Sequence, residues 1–303
     1  MELLQKSALI ENFAILDIKM NQSTVSTALP KTQFAVRILR QDRPGLPSYW
    51  ETFSLEHVPG MNVTSVLQHI AAQPRTTSGR EVAPVAYDAS CLEEVCGSCT
   101  MLINGRVRQA CSALVDRLLE QHPQQIELRP MSKFPVMRDL VVDRRRLFRA
   151  LEKLKCWIPV DGYYDTGPGP RQSPDDQEQL YPLSKCMSCG CCLEACPQYS
   201  KVDPKPLPDE TSEQLSQRQN DTFDQAFIGA AAMNQAVLIN SNPTGRMTAR
   251  QRLDALIAPG GIQNCGKASN CEAVCPQEIP LMSSWGRAGR AATIHAIKSF
   301  FDK

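Results

Sequence analysis

The chain has 303 residues, of which 42% are hydrophobic and 21% charged, the balance of an ordinary globular protein with length for about two domains. Thirty-three Lys and Arg against 32 Asp and Glu leave a formal charge of +1, so no nucleic-acid or other polyanionic partner is expected. No apolar run reaches the roughly 18–20 residues of a membrane-spanning helix, and the start, with Glu2 and Lys6, lacks the pattern of an export signal.

Residues 1–30 carry little periodicity and read as a flexible extension. Residues 33–39 place Phe34, Val36 and Ile38 on one face at strand spacing, and Phe53 and Leu55 suggest a partner strand over 50–55. Val63, Val66, Leu67 and Ile70 recur at helical spacing behind Asn62, a natural N-cap. Ala86 and Tyr87 suggest a short strand, and residues 100–111 a hairpin turning at Asn104-Gly105. Residues 126–128 close the set as a last strand. Strands gathered around one helix predict a small mixed sheet, the β-grasp arrangement of ferredoxins, over 31–138.

Beyond residue 139 the period becomes helical. Leu147, Leu151 and Leu154 share one face, and the run Arg144-Arg145-Arg146 reads as a solvated surface. The Gly- and Pro-rich stretch 162–174 predicts a loop, and the polar stretch 201–225, with Pro204, Pro206 and Pro208, a surface insertion. Residues 224–239, 247–257 and 283–301 predict helices. The expected whole is an α+β chain, with a second, all-α-helical domain over 139–303.

Thirteen cysteines, an odd number in a chain without an export signal, point to metal ligation rather than disulfides. Cys91-x4-Cys96-x2-Cys99 has the spacing of a plant-type [2Fe–2S] loop, with Cys111 as the distant fourth ligand. Gly97-Ser98 supplies a small turn where thiolates must face inward. Zinc also takes four thiolates, but it favours paired short knuckles over this spacing. Cys186-x2-Cys189-x2-Cys192-x3-Cys196-Pro197 is the bacterial ferredoxin run, in which the fourth Cys serves the other cluster. Cys265-x5-Cys271-x3-Cys275-Pro276 repeats it with Ala268 in place of one Cys. Cross-donation then predicts a [4Fe–4S] cluster on Cys186, Cys189, Cys192 and Cys275, and a [3Fe–4S] cluster on Cys196, Cys265 and Cys271. Cys156 and Cys191 read as packed bystanders. The histidines His57, His69, His122 and His295 form no ligand motif, and no residue is expected to do acid–base or nucleophilic chemistry.

Three clusters in this order resemble the iron–sulfur subunit of succinate dehydrogenase and fumarate reductase. The resemblance rests on Cys-Leu-Glu-Glu-Val-Cys-Gly-Ser-Cys at 91–99, Gln109-Ala110-Cys111, the stretch Phe134-Pro135-Val136-Met137-Arg138-Asp139-Leu140-Val141-Val142-Asp143, and the two Cys-Pro endings. Trp157-Ile158-Pro159-Val160-Asp161-Gly162 and Gly167-Pro168-Gly169-Pro170-Arg171 look most like the Bacillus-type branch. That resemblance implies electron transfer from a flavoprotein subunit with covalent FAD to menaquinone at a dihaem cytochrome b anchor. It also implies a peripheral place on the cytoplasmic face of a bacterial membrane. The Ser, Trp and His of ubiquinone-reducing members are not matched, since the neighbourhoods read Cys196-Pro197-Gln198-Tyr199-Ser200-Lys201 and Cys265-Gly266. Alternatives are the iron–sulfur subunit of another quinone-linked dehydrogenase or heterodisulfide-reductase-like complex and, in a different class, a zinc-stapled interaction protein.

Overall fold

The computed structural model describes residues 33–158 and 171–301. The expected extension over 1–30 and most of the Gly/Pro-rich loop, at 159–170, lie outside the described residues. β1 (Gln33–Arg40) alternates as its sequence does, turning Phe34, Val36 and Ile38 inward. β2 (Tyr49–Glu56) pairs with it antiparallel, Phe53 opposite Val36. α1 (Val63–Ala72) starts at Asn62, whose side chain accepts from the Ser65 N–H at 2.8 Å, and buries Val63, Val66, Leu67 and Ile70 under the sheet. Each such fully buried side chain contributes roughly 1.5–3 kcal/mol.

β3 (Thr100–Ile103) and β4 (Arg106–Gln109) form the expected hairpin. Asn104 and Gly105 both lie in the left-handed region, φ 48° and 76°, as a two-residue type I′ turn requires. After the short helix α2 (Val115–Gln121), β5 (Gln125–Arg129) enters the sheet parallel to β1 and antiparallel to β3, giving the order β2-β1-β5-β3-β4. Ala86 and Tyr87 are not a strand. The Ala86 N–H donates to the Asp139 carboxylate at 2.9 Å and its carbonyl accepts from Leu140 N at 3.1 Å, so a side chain takes the place of a neighbouring strand.

A two-stranded ribbon, β6 (Val136–Arg138) and β7 (Val141–Val142), leads into the helices α3 (Arg145–Lys153), α4 (Pro174–Ser184), the single turn α5 (Cys191–Glu194) and α6 (Ser212–Gln225). They are followed by α7 (Gly229–Ser241), α8 (Ala249–Ile257), the single turn α9 (Asn270–Ala273) and α10 (Leu281–Phe301). Two expectations change here. The polar stretch 201–225 is not wholly irregular, because Thr211 and Gln214 make a reciprocal capping box that starts α6, and Phe223 anchors it. The single helix expected over 224–239 is broken before Gly229, whose φ of +82° interrupts the helix. A Cβ there would stand 2.1 Å from Leu193 Cδ2, so only glycine lets α7 start so close to α5.

α7 lies at the centre of the helical half. Its Ala231, Ala232 and Ala236 are buried, and Asn234, fully buried, donates to Leu183 O of α4 at 2.9 Å while accepting from Ser284 of α10 at 3.0 Å. Arg252 of α8 is likewise buried, its guanidinium donating to Asn240, Lys155 O, Thr248 and Gly245 O. Two hydrophobic cores result, one under the sheet and one around α7. They interleave in sequence: Met131 and Phe134 belong to the helical core, whereas Leu140 packs under the sheet.

The arginine run is not a solvated face. Only Arg145 is exposed, paired with Asp143; Arg146 is buried, stacks on Tyr199 at 3.8 Å and donates to Ser200 O and Phe227 O; Arg144 turns toward the cysteine loops.

Candidate metal centres

The first cysteine loop ends where β3 begins, and the hairpin brings the chain back beside it. Thr100 pairs with Gln109, and Ala110 N donates to Cys99 O at 3.1 Å. Strand register therefore places Cys111 next to Cys99 although eleven residues separate them from end to end of the hairpin. Within the loop, Leu92, Glu94 and Gly97 adopt positive φ (61°, 58° and 69°), winding the backbone around a sulfur. The N–H groups of Glu93, Val95 and Cys96 all donate to Cys91 Sγ, at 3.4, 3.4 and 3.3 Å, a nest that suits a thiolate. The Ser98 hydroxyl, 3.0 Å from Cys96 Sγ, holds the exposed Cys96 thiol down at about 6. Burial, and then the neighbouring Cys99 and Cys91, push Cys111 up to about 11.

The two ferredoxin loops share one backbone path. Ser188 and Gly190 have φ 54° and 89°, and Lys267 and Ser269, at the equivalent places, 57° and 60°. Each loop then enters a single helical turn, α5 or α9, before its Cys-Pro. Ala268 stands where the first loop has Cys189, so the second loop keeps the ligand-bearing shape with a methyl group at that corner. The sulfurs group across the loops. Burial, followed by Cys189, Cys186, Cys275 and Cys271, drives Cys192 well above its usual value. Burial, with Cys189 and Cys275 nearby, raises Cys186, and burial with Cys196 and Cys265 raises Cys271. Cys196, Cys265, Cys271, Ala268 and Trp285 line one cavity, into whose wall the buried Trp285 Nε1–H is set without a hydrogen-bond partner.

These donor sets fit polynuclear iron–sulfur groups. Like-charged thiolates packed together disfavour one another, and several iron ions bridged by sulfide would relieve that repulsion. Zn²⁺, by contrast, draws its ligands to one point. His57 and His295 pair instead with Asp116 and Asp254, at 2.7 and 2.6 Å.

Two residues outside the motifs join these loops. Gln109 donates to Thr100 Oγ1 at 3.0 Å and to Cys191 Sγ at 3.4 Å. Cys191, buried, in turn donates to Cys189, which lowers Cys189 to about 7. Cys191 is thus packed, as its place outside the ferredoxin spacing suggests, but it touches a neighbouring thiol. Cys156 lies beneath α7 and burial pushes it to about 12, an inert thiol. Arg144, expected on a solvated surface, instead faces these loops. The available signal was spacing, since 144, 147, 151 and 154 continue one helical face.

Comparison with known proteins decides the family. The chain is 43% identical over 264 residues to the succinate dehydrogenase iron-sulfur subunit of Bacillus subtilis, covering 87% of this chain and 94% of that one. The chain belongs to the iron–sulfur subunits of succinate dehydrogenase and fumarate reductase. The fumarate reductase iron-sulfur subunit of Wolinella succinogenes is 26% identical over 252 residues, covering 82% and 92% of the two chains. The family described as a 2Fe-2S iron-sulfur cluster binding domain matches residues 35–149, and a 4Fe-4S dicluster domain matches 182–279. A chain of the Mycobacterium smegmatis Sdh1 complex in the apo form shares the fold, with a TM-score of 0.61, 20% identity, and coverage of 86% and 97%. A zinc-stapled interaction protein is thereby set aside. As a family member the chain is an α+β iron–sulfur subunit with 2Fe-2S and 4Fe-4S cluster domains, and among its described residues no helix is long and apolar enough to cross a membrane.

Proposed function

We propose that this subunit conducts single electrons from the FAD of a flavoprotein partner to quinone at a cytochrome b anchor, as part of a succinate:quinone oxidoreductase. In this reading residues 31–138 form the β-grasp domain and hold [2Fe–2S] through Cys91, Cys96, Cys99 and Cys111. The helical domain, 139–303, holds [4Fe–4S] through Cys186, Cys189, Cys192 and Cys275, and [3Fe–4S] through Cys196, Cys265 and Cys271. The observation that carries it is the crosswise grouping of the two ferredoxin loops, Cys186 with Cys275 and Cys271 with Cys196. When bound, the clusters supply one-electron redox chemistry, the link between a two-electron carbon donor and a quinone. The chain's own part is to gather the sulfurs, supply N–H donors to Cys91, and leave one corner of the third site without a thiolate at Ala268.

The family implies a flavoprotein and a membrane anchor as partners. Supporting a peripheral place, α10 buries Ala288 and Ala292 but exposes Ile294, Ile297, Phe300 and Phe301, the last two 76% and 79% accessible. An apolar helix end of this kind suits contact with an anchor carrying haem b at the cytoplasmic face of the membrane. Exposed Leu92 and Val95 of the first loop suit the flavoprotein. The test is purification from membranes with partners intact, followed by iron, sulfide and zinc analysis and electron paramagnetic resonance. Three distinct clusters, one paramagnetic in the oxidised state, are expected; zinc without sulfide would overturn the reading.

A further inference from the structure

The first and second cysteine loops touch through backbone. A Cβ on Gly97 would stand 2.5 Å from Cys189 Cβ and 2.7 Å from its Cα, well inside the ~3.5–4.0 Å at which carbon atoms rest. Gly97 also holds φ +69°, so any other residue would both strain the turn and push the loops apart. Arg144 straddles this contact. Its Nη1 donates to Gly97 O at 2.8 Å and to Cys189 O at 3.4 Å, and its Nη2 donates to Ser98 O at 2.7 Å. Thr100 completes the bracket, its hydroxyl donating to Gly97 O at 2.8 Å and accepting from Gln109, which also reaches Cys191.

The charge on Arg144 has an unusual setting. Among the described residues it makes no ion pair; its hydrogen bonds go to three carbonyls, and the charges that favour it come from Asp88 first and then from Cys189 and Cys99. A partly buried cation without a bonded carboxylate is costly unless other negative charge faces it. Here that charge comes from Asp88 and from thiolates of two different ligand sets, Cys189 and Cys99. The guanidinium is also the only side chain with a rigid fork able to hold carbonyls of both loops at once.

We infer that Arg144 is a positioning residue shared by the first two centres: its fork closes Gly97 onto Cys189, and its charge eases the reduction of both. The inference rests on the ligand sets proposed above. Reduction adds one electron to a centre while no bond forms or breaks, and Arg144 gives up no proton. Its fixed positive charge favours the more negative, reduced form on either side. Removing a unit charge this close is expected to change each oxidised-to-reduced ratio about tenfold at a given potential, which is ~59 mV for a one-electron couple.

The test compares Arg144→Gln and Arg144→Lys in the assembled membrane complex, after iron and sulfide analysis, by redox titration followed with electron paramagnetic resonance. Arg144→Gln should lower the potentials of the [2Fe–2S] and [4Fe–4S] centres together, about tenfold each in the ratio, and leave the third within about twofold. Arg144→Lys keeps the charge but loses the fork, so its potentials should stay within about threefold of wild type while the magnetic interaction between the two reduced centres weakens. Unchanged potentials in Arg144→Gln, a shift in only one centre, or equal shifts in all three would overturn the inference. If Arg144→Gln does not retain its clusters, Arg144→Lys decides: wild-type potentials with weakened interaction support the bracket, and any other result overturns it. Wild-type protein lacking the clusters would instead overturn the functional reading itself.

Discussion

Replacing Asp139 with asparagine removes one charge from a fully buried ion network while keeping the side chain's shape. Asp139 Oδ1 accepts from Arg40 Nε at 3.0 Å and Gln41 N at 3.3 Å, and Oδ2 from Arg40 Nη2 and Ala86 N, both at 2.9 Å. All four partners are donors, so the new amide must point its own N–H groups at two of them. Arg40, only 2% exposed, would keep Glu51 at 2.7 Å, a carboxylate already shared with Arg80 at 2.6 Å. Breaking a buried pair from one side costs roughly 3–5 kcal/mol. Taking about 4 kcal/mol, and roughly 2–4 °C per kcal/mol for a chain of this size, Tm should fall ~8–16 °C. Thermal and urea unfolding of the cluster-loaded chain, followed by circular dichroism, measure this. Combining Asp139→Asn with Arg40→Met should cost clearly less than the two separate losses added, because the second change removes the stranded charge. A loss under about 1 kcal/mol for Asp139→Asn, or strict additivity in the pair, would refute the reasoning.

Ala268→Cys restores the thiolate missing from the second ferredoxin loop. It is expected to convert the third cluster to [4Fe–4S] and lower its potential, since an added anionic ligand opposes reduction; loss of the oxidised-state paramagnetic signal checks it. Glu194, buried, accepts from Ser132 N and Lys133 N at 3.0 Å each and from Ser132 Oγ at 2.6 Å. Glu194→Ala should leave those donors unmet and cost about 2–3 kcal/mol, read from the urea midpoint. Arg218 and the Leu207 N–H hold the Glu210 carboxyl down at about 2, from an ordinary 4.5. Because the folded value is depressed, its contribution is present above about 4.5 and is lost as pH falls through about 2. Hydrogen exchange at Leu207 should therefore show protection retained at pH 4 relative to Glu210→Gln, with the difference shrinking as pH falls through about 2.

Much of the sheet was legible because it is built from local patterns. The alternation in β1, the Asn62 cap and the Asn104-Gly105 turn each act within a few residues, and each appears as the sequence implies. Elements whose signals are weak or contradictory were not. α2 is seven residues long and lacks a side-chain cap, and α6 hides in a polar stretch where only its capping box marks the start. The break before Gly229 has no local mark, because glycine inside an apolar helical run is tolerable until Leu193 of another element occupies the space a side chain would need.

Cysteine spacing by itself determined the kind of chemistry, since a short loop can present only certain arrangements of thiols, and the echo of one ferredoxin run in the other implied two loops of one shape. Tertiary structure alone decided what surrounds those thiols. Helical spacing puts Arg144 on the leucine face and Arg145 off it, beside Asp143, but no local pattern shows that Arg144 ends on the carbonyls of two loops. Nor could spacing reveal that Gly97 rests on Cys189, or that Asp139 closes a network with Arg40, 99 residues away. Such contacts depend on where distant segments meet, and burial there reverses the usual preference of a charged side chain for water.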